Sequence, residues 1–155
     1  KTAQKSLQLK AATFDISKQS NLVFQQNANQ LIKEIEGDIL YLDPPYNARQ
    51  YGANYHLLNT IALYDNFTPK GKTGLRDYER SVYCKKNEVL EQFEQLIQDS
   101  RFRYIFVSYN NEGLMSLDQI RSVMEKYGDY RLATTAYQRF KADRTENRNH
   151  KGKIK

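Results

Sequence analysis

The run DILYL, residues 38–42, followed at once by Asp43, Pro44, Pro45 and Tyr46, constrains this chain more than any other feature. Its apolar residues do not alternate with polar ones, which is the pattern of a strand covered on both faces, as a central strand of a parallel sheet is. Gly37 bounds the strand on one side. The two prolines end it on the other, because neither can donate to a ladder. Each proline holds its own φ at about −65° and pushes the residue before it into an extended conformation. Asp43 and Pro44 are therefore held with little freedom, and the turn presents acceptors: the Asp43 carboxylate and the Pro44 carbonyl.

The rest of the chain supplies the elements that surround such a strand. A short apolar run at 22–24 predicts a strand and a helical pattern follows over 29–35. Over 54–65, Leu57, Leu58, Ile61 and Ala62 fall on one face of an amphipathic helix with Asn54 as its cap. Residues 66–86 hold no period; Pro69, Gly71 and Gly74 punctuate a long loop that carries Lys70, Lys72, Arg76 and Arg80. Loops of that length in small domains usually serve function or stay disordered. Val89, Leu90, Phe93, Leu96 and Ile97 predict a helix over 87–98, and YIFVSY a buried strand over 104–109. Ser116 and Gln119 form a capping box ahead of a stripe of Leu117, Ile120, Val123, Met124 and Tyr127 that stops at Gly128. A last strand is predicted over 130–137.

This order predicts an α/β fold, a single domain over 1–155 with a largely parallel sheet and right-handed crossovers that place helices on both faces. In open sheets of that kind the ligand crevice lies beyond the carboxyl ends of the strands, where Asp43–Tyr46 sits.

Composition narrows the function classes. No run of 18 apolar residues exists and the first ten residues lack a signal-peptide core, so the expectation is a soluble, unexported, cytoplasmic protein without a membrane. One cysteine, Cys84, excludes an internal disulfide and a multi-thiolate zinc cluster, and neither His56 nor His150 has a spaced metal-ligating partner. No metal is expected. Gly71 and Gly74 in GKTG follow no strand and lack the phosphate-loop spacing. The formal charge is +6, and the last fifteen residues hold six basic against two acidic side chains, a basic mobile tail or loop over 141–155. Twelve Tyr and seven Phe add stacking surface, a pairing that nucleic-acid binders use. A solvated basic face is the structural alternative.

Two fixed acceptors beside an aromatic ring suit an exocyclic amine on a planar base. The lone pair of such an amine is delocalised into its ring, which makes it a poor nucleophile. Accepting hydrogen bonds from both amine hydrogens favours a pyramidal nitrogen, and the carboxylate stabilises the positive charge that develops on it. Tyr46 offers a stacking face to a base that has left its duplex.

DILYLDPPYN, with YHLLNTIALYDN, KKNE and YIFVSYNNEGLM, resembles the adenine-specific N6 DNA methyltransferases of bacterial restriction–modification systems, relatives of the Dam group, over roughly residues 21–143. The resemblance implies a Rossmann-like methyltransferase sheet, S-adenosylmethionine as donor, DNA as partner, and Asp43, Pro44, Pro45 and Tyr46 as the catalytic turn. It also implies donor contacts from Asp43 and from Asn27, which stands where relatives carry an acid. In relatives the region of 136–144 forms a turn near the target base. There Tyr137 and Phe140 are candidates for stacking and Lys141 and Arg144 for phosphate contacts. Asn47, Tyr51 and the 108–111 segment are candidates for the same pocket, with loop packing as the alternative. The family's glycine-rich donor motif, of the Phe-x-Gly-x-Gly type, is absent from these 155 residues. The chain also opens on Lys and ends in Lys-rich polar sequence, so the expectation is the carboxyl-side part of a catalytic domain whose first strands lie outside it. An RNA or protein amino-methyltransferase is the nearest enzyme alternative, and a noncatalytic nucleic-acid-binding domain the alternative from another class.

Overall fold

In a computed structural model, which describes residues 11–13 and 20–136, the predicted strand forms as β1, Glu36–Leu42. It lies parallel to β2, Arg101–Val107, in a register that pairs Leu40 with Ile105 and Leu42 with Val107. Ser108 N–H donates to the Leu42 carbonyl at 2.8 Å, carrying the pairing one residue past the end of β2. The side-chain period of two then sorts the sheet. Leu40, Leu42, Ile105 and Val107 point to the core, while Ile39, Tyr41, Tyr104 and Phe106 point away from it and are 51–65% exposed.

The core side is built by α1, Ala28–Leu31, by α4, Val89–Asp99, and by α5, Leu117–Tyr127. In α4 the stripe of Val89, Phe93, Leu96 and Ile97 is buried, and in α5 Ile120 and Val123 meet it. Ile32, Met115 and Tyr83 complete the cluster. The capping box forms as predicted: Ser116 Oγ accepts from Gln119 N, and the Gln119 side chain accepts from Ser116 N at 2.8 Å. Gly128 caps the carboxyl end of α5.

Several expectations are corrected. The strand at 22–24 does not form; Leu22 and Val23 are 77% and 95% exposed, since a three-residue run without a neighbouring strand has nothing to pair with. Residues 130–136 also carry no regular element. The helices that pack on the sheet gather on one face, against the expectation of both, so β1 is not covered on its two sides among the described residues. The helix over 54–65 divides into α2, Tyr51–Asn54, and α3, His56–Leu63. Asn54 ends α2 instead of capping α3, because Tyr55 leaves helical geometry at φ −107°. No residue of α3 is buried; Leu57, Leu58, Ile61 and Leu63 are 61–72% exposed. Leu117 and Tyr127 lie at the rim of the α5 stripe, outside the core. No helix among the described residues is long and apolar enough to cross a membrane.

Candidate active site

Beyond the carboxyl end of β1 the chain turns through Asp43, Pro44 and Pro45 along the lip of an open cleft of about 560 Å³. Three segments wall it: residues 25–28, 41–45 and 79–83. Phe93 and Leu96 of α4 lie at its floor, so the cleft has an apolar base and a polar rim. That volume falls within the roughly 300–1,000 Å³ of small-molecule sites.

Among the described residues no hydrogen bond occupies the Asp43 carboxylate or the Pro44 carbonyl. Asp43 is exposed and Pro44 half-buried. Tyr46 stands beside the cleft, 38% exposed, and its backbone is pinned because Leu114 N–H donates to the Tyr46 carbonyl at 2.9 Å. Behind it, Asn47 Oδ1 accepts from Arg49 N at 2.9 Å in an Asx turn. Tyr51 is electrostatically close to this group. Its hydroxyl pKa is raised, first by burial and then by Tyr46, Asp43, Tyr55 and Cys84, and its ring meets Tyr55 edge-on at 5.6 Å.

The second wall hangs on a short 3-10 helix, Val82–Cys84, capped by Ser81 Oγ, which accepts from Tyr83 N. The Tyr83 ring enters the core and its hydroxyl donates to Asn29 Oδ1 at 2.8 Å, while Asn29 Nδ2 donates to the Gln92 carbonyl at 2.8 Å. Burial pushes the Tyr83 hydroxyl well above the ordinary phenol range, with the Asn29 bond opposing it. The segment that follows the turn is tied to this wall. Gln50 Oε1 accepts from Ser81 N at 2.8 Å, Gln50 Nε2 donates to the Ser81 carbonyl at 3.1 Å, and the Cys84 thiol donates to the Arg49 carbonyl at 3.4 Å. Burial raises the Cys84 pKa, which keeps the thiol protonated and argues against a nucleophile.

Of the residues singled out from sequence, Asp43, Pro44, Pro45 and Asn27 come together around this cleft. Asn27 has a local duty as well: its Oδ1 accepts from Asn29 N at 2.9 Å and caps α1, which leaves the side-chain amide N–H groups for a ligand. Tyr46, Asn47, Tyr51 and residues 108–111 do not line the cleft; Ser108 bonds the end of β1, and Asn47 holds the Asx turn that follows Tyr46. Tyr137, Phe140, Lys141 and Arg144 lie outside the described residues. Sequence reasoning missed Asn29, Gln50, Ser81 and Tyr83. The available signal was the apolar triplet VYC inside an otherwise polar loop, which marks a buried anchor.

Among the described residues no group of three His, Cys, Asp or Glu side chains converges as a metal site. A shallower depression of about 440 Å³ on α5, between Asp118, Arg121 and Lys126, belongs to one helix face whose Arg121 is already paired with Glu125 at 2.7 Å.

Residues 1–123 match the family described as D12 class N6 adenine-specific DNA methyltransferase. The type II methyltransferase M.NlaIII of Neisseria lactamica is 66% identical over 151 residues, covering 97% of this chain and 45% of that protein. M.FokI of Planomicrobium okeanokoites is 47% identical over 141 residues, covering 86% of this chain and 22% of its own length. M.CviAII of Paramecium bursaria Chlorella virus 1 is 39% identical over 123 residues, or 77% and 36%. The chain thus spans less than half the length of each of these relatives. No solved structure matches it significantly.

Proposed function

The chain belongs to the D12 class N6 adenine-specific DNA methyltransferase family, and from that premise we propose that its cleft serves site-specific methylation of adenine N6 in DNA with S-adenosylmethionine as donor. The observation that carries this reading is the pair of unoccupied acceptors, the Asp43 carboxylate and Pro44 carbonyl, fixed by prolines at the end of β1 beside an accessible aromatic ring. Both acceptors take hydrogen bonds from the base amine and pyramidalise its nitrogen. The carboxylate also stabilises the charge that grows there, and Tyr46 stacks on the flipped base.

The cleft suits the donor. Its rim offers the Asn27 amide and the Asp43 carboxylate to the donor's polar groups. When bound, S-adenosylmethionine supplies an electrophilic methyl group. The chain's own residues orient the amine and exclude water from one side of it. In this reading the two parallel strands are part of a Rossmann-like methyltransferase sheet. Tyr137 and Phe140 stack on nucleic acid while Lys141 and Arg144 meet phosphate, and substituting either basic residue lowers the salt slope of DNA binding by about one.

The test is methyl transfer by the full-length enzyme to duplex DNA, structured RNA and protein. Adenine in DNA is the expected acceptor, and Asp43→Ala is expected to lower kcat by roughly 10²–10³-fold, the scale of a lost transition-state hydrogen bond in a preorganised site. Unmodified adenine with methylated RNA or protein would move the chain to another acceptor. An Asp43→Ala enzyme as active as the parent would remove the proposed chemistry altogether.

A further inference from the structure

Gln50 sits at the N-cap of α2 with extended backbone, φ −71° and ψ 128°, yet its side chain makes no capping bond to its own helix. The carboxamide reaches instead to Ser81, 31 residues away, and bonds both the N–H and the C=O of that one residue. It pairs with the backbone as a second strand would. From Ser81 the linkage continues: Ser81 Oγ accepts from Tyr83 N, the Tyr83 hydroxyl donates to Asn29 Oδ1, and Asn29 N donates to Asn27 Oδ1. Asn27 lines one wall of the cleft and Ser81 and Tyr83 line another, while Gln50 follows, in sequence, the turn that forms the third.

We propose that Gln50 is a positioning residue for the methyl donor, closing a hydrogen-bonded belt, Gln50–Ser81–Tyr83–Asn29–Asn27, that sets the separation between the catalytic turn and the two opposite walls. The proposal rests on the reading of the cleft as a donor site. Gln50 is the one member that joins the belt to the turn, because it follows Pro44 by six residues through a stretch held by the Asx turn and by the Leu114 bond. The pairing needs a donor and an acceptor in one planar group at the end of a two-carbon stem, which at neutral pH only Gln supplies. A carboxylate keeps the bond to Ser81 N–H but sets an anionic oxygen against the Ser81 carbonyl.

The experiment compares the full-length enzyme with its Gln50→Met and Gln50→Glu variants, by steady-state kinetics in S-adenosylmethionine and by hydrogen–deuterium exchange. Gln50→Met keeps the stem and loses both bonds, so the donor KM is expected to rise about tenfold while kcat stays within about threefold. Amides of residues 79–84 are expected to exchange faster. Gln50→Glu is expected to show a raised donor KM at neutral pH that recovers, relative to the parent, as the pH falls towards about 4 and the carboxyl regains its O–H donor. A role confined to stability would lower the active fraction and kcat and leave the donor KM and its pH profile unmoved. An unchanged donor KM in Gln50→Met, or unchanged exchange at 79–84, would overturn the proposal. Faster exchange in an enzyme whose parent methylates no adenine would leave the belt standing and sink the functional reading instead.

Discussion

Asp43 and Pro44 were legible from sequence because proline restricts its own φ and its predecessor's conformation wherever it stands, so the stiffness of the turn does not depend on distant residues. Gly113 is the opposite case. It sits against the ring of Tyr109, whose hydroxyl accepts from Met115 N–H at 3.2 Å, and a Cβ there would overlap the Tyr109 Cε1 and Cζ atoms. Nothing in the local sequence NNEGLM marks that contact. Gly113→Ala is expected to destabilise by about 1–3 kcal/mol through overpacking, whereas Gly128→Ala, with open space around the new methyl, stays within about 0.5 kcal/mol of the parent. Chemical denaturation of the two variants checks the contrast; equal midpoints would mean that the Tyr109 ring moves aside at no cost.

At the scale of elements, periodicity identified α4 and α5 because each stripe meets the other and the sheet, so the face written in the sequence is the face that is buried. The segment over 54–65 has an equally clear apolar face, yet it breaks at Tyr55 and α3 buries none of it. A period states that a face exists and says nothing about what covers it. The three helices are therefore expected to respond differently to truncation. Phe93→Ala, which empties a fully buried site, costs about 3–5 kcal/mol. Ser116→Ala, which removes one half of the capping box, costs about 1 kcal/mol. Ile61→Ala on the exposed face of α3 stays below about 0.5 kcal/mol. Urea midpoints in that order check the assignment, and a large loss at Ile61 would show α3 packed in solution.

At the scale of the whole molecule, the bare face of the sheet stands out. Ile39 pairs with Tyr104 and Tyr41 with Phe106 across it, so four large side chains form one contiguous apolar surface. Surfaces of that kind on a separate chain bind hydrophobic dyes and limit solubility. Replacing Ile39 and Tyr104 together by Thr, which keeps strand propensity, is expected to lower dye binding and raise solubility of the 155-residue chain with the circular dichroism spectrum retained. Unchanged dye binding would place the exposed apolar surface elsewhere, at α3 or at Leu22 and Val23.

By itself the sequence determined what short-range chemistry controls: the strand that ends at Asp43, the proline-held acceptors, the capping box at Ser116 and the stripes of α4 and α5. Each follows from dihedral restriction or from spacing within a few residues. Only the tertiary structure decided which side of the sheet is covered, that the Tyr83 hydroxyl reaches Asn29, and that Gln50 reaches Ser81. Those facts depend on contacts between residues 31 or more positions apart, and no local pattern in the chain encodes which distant group a side chain will meet.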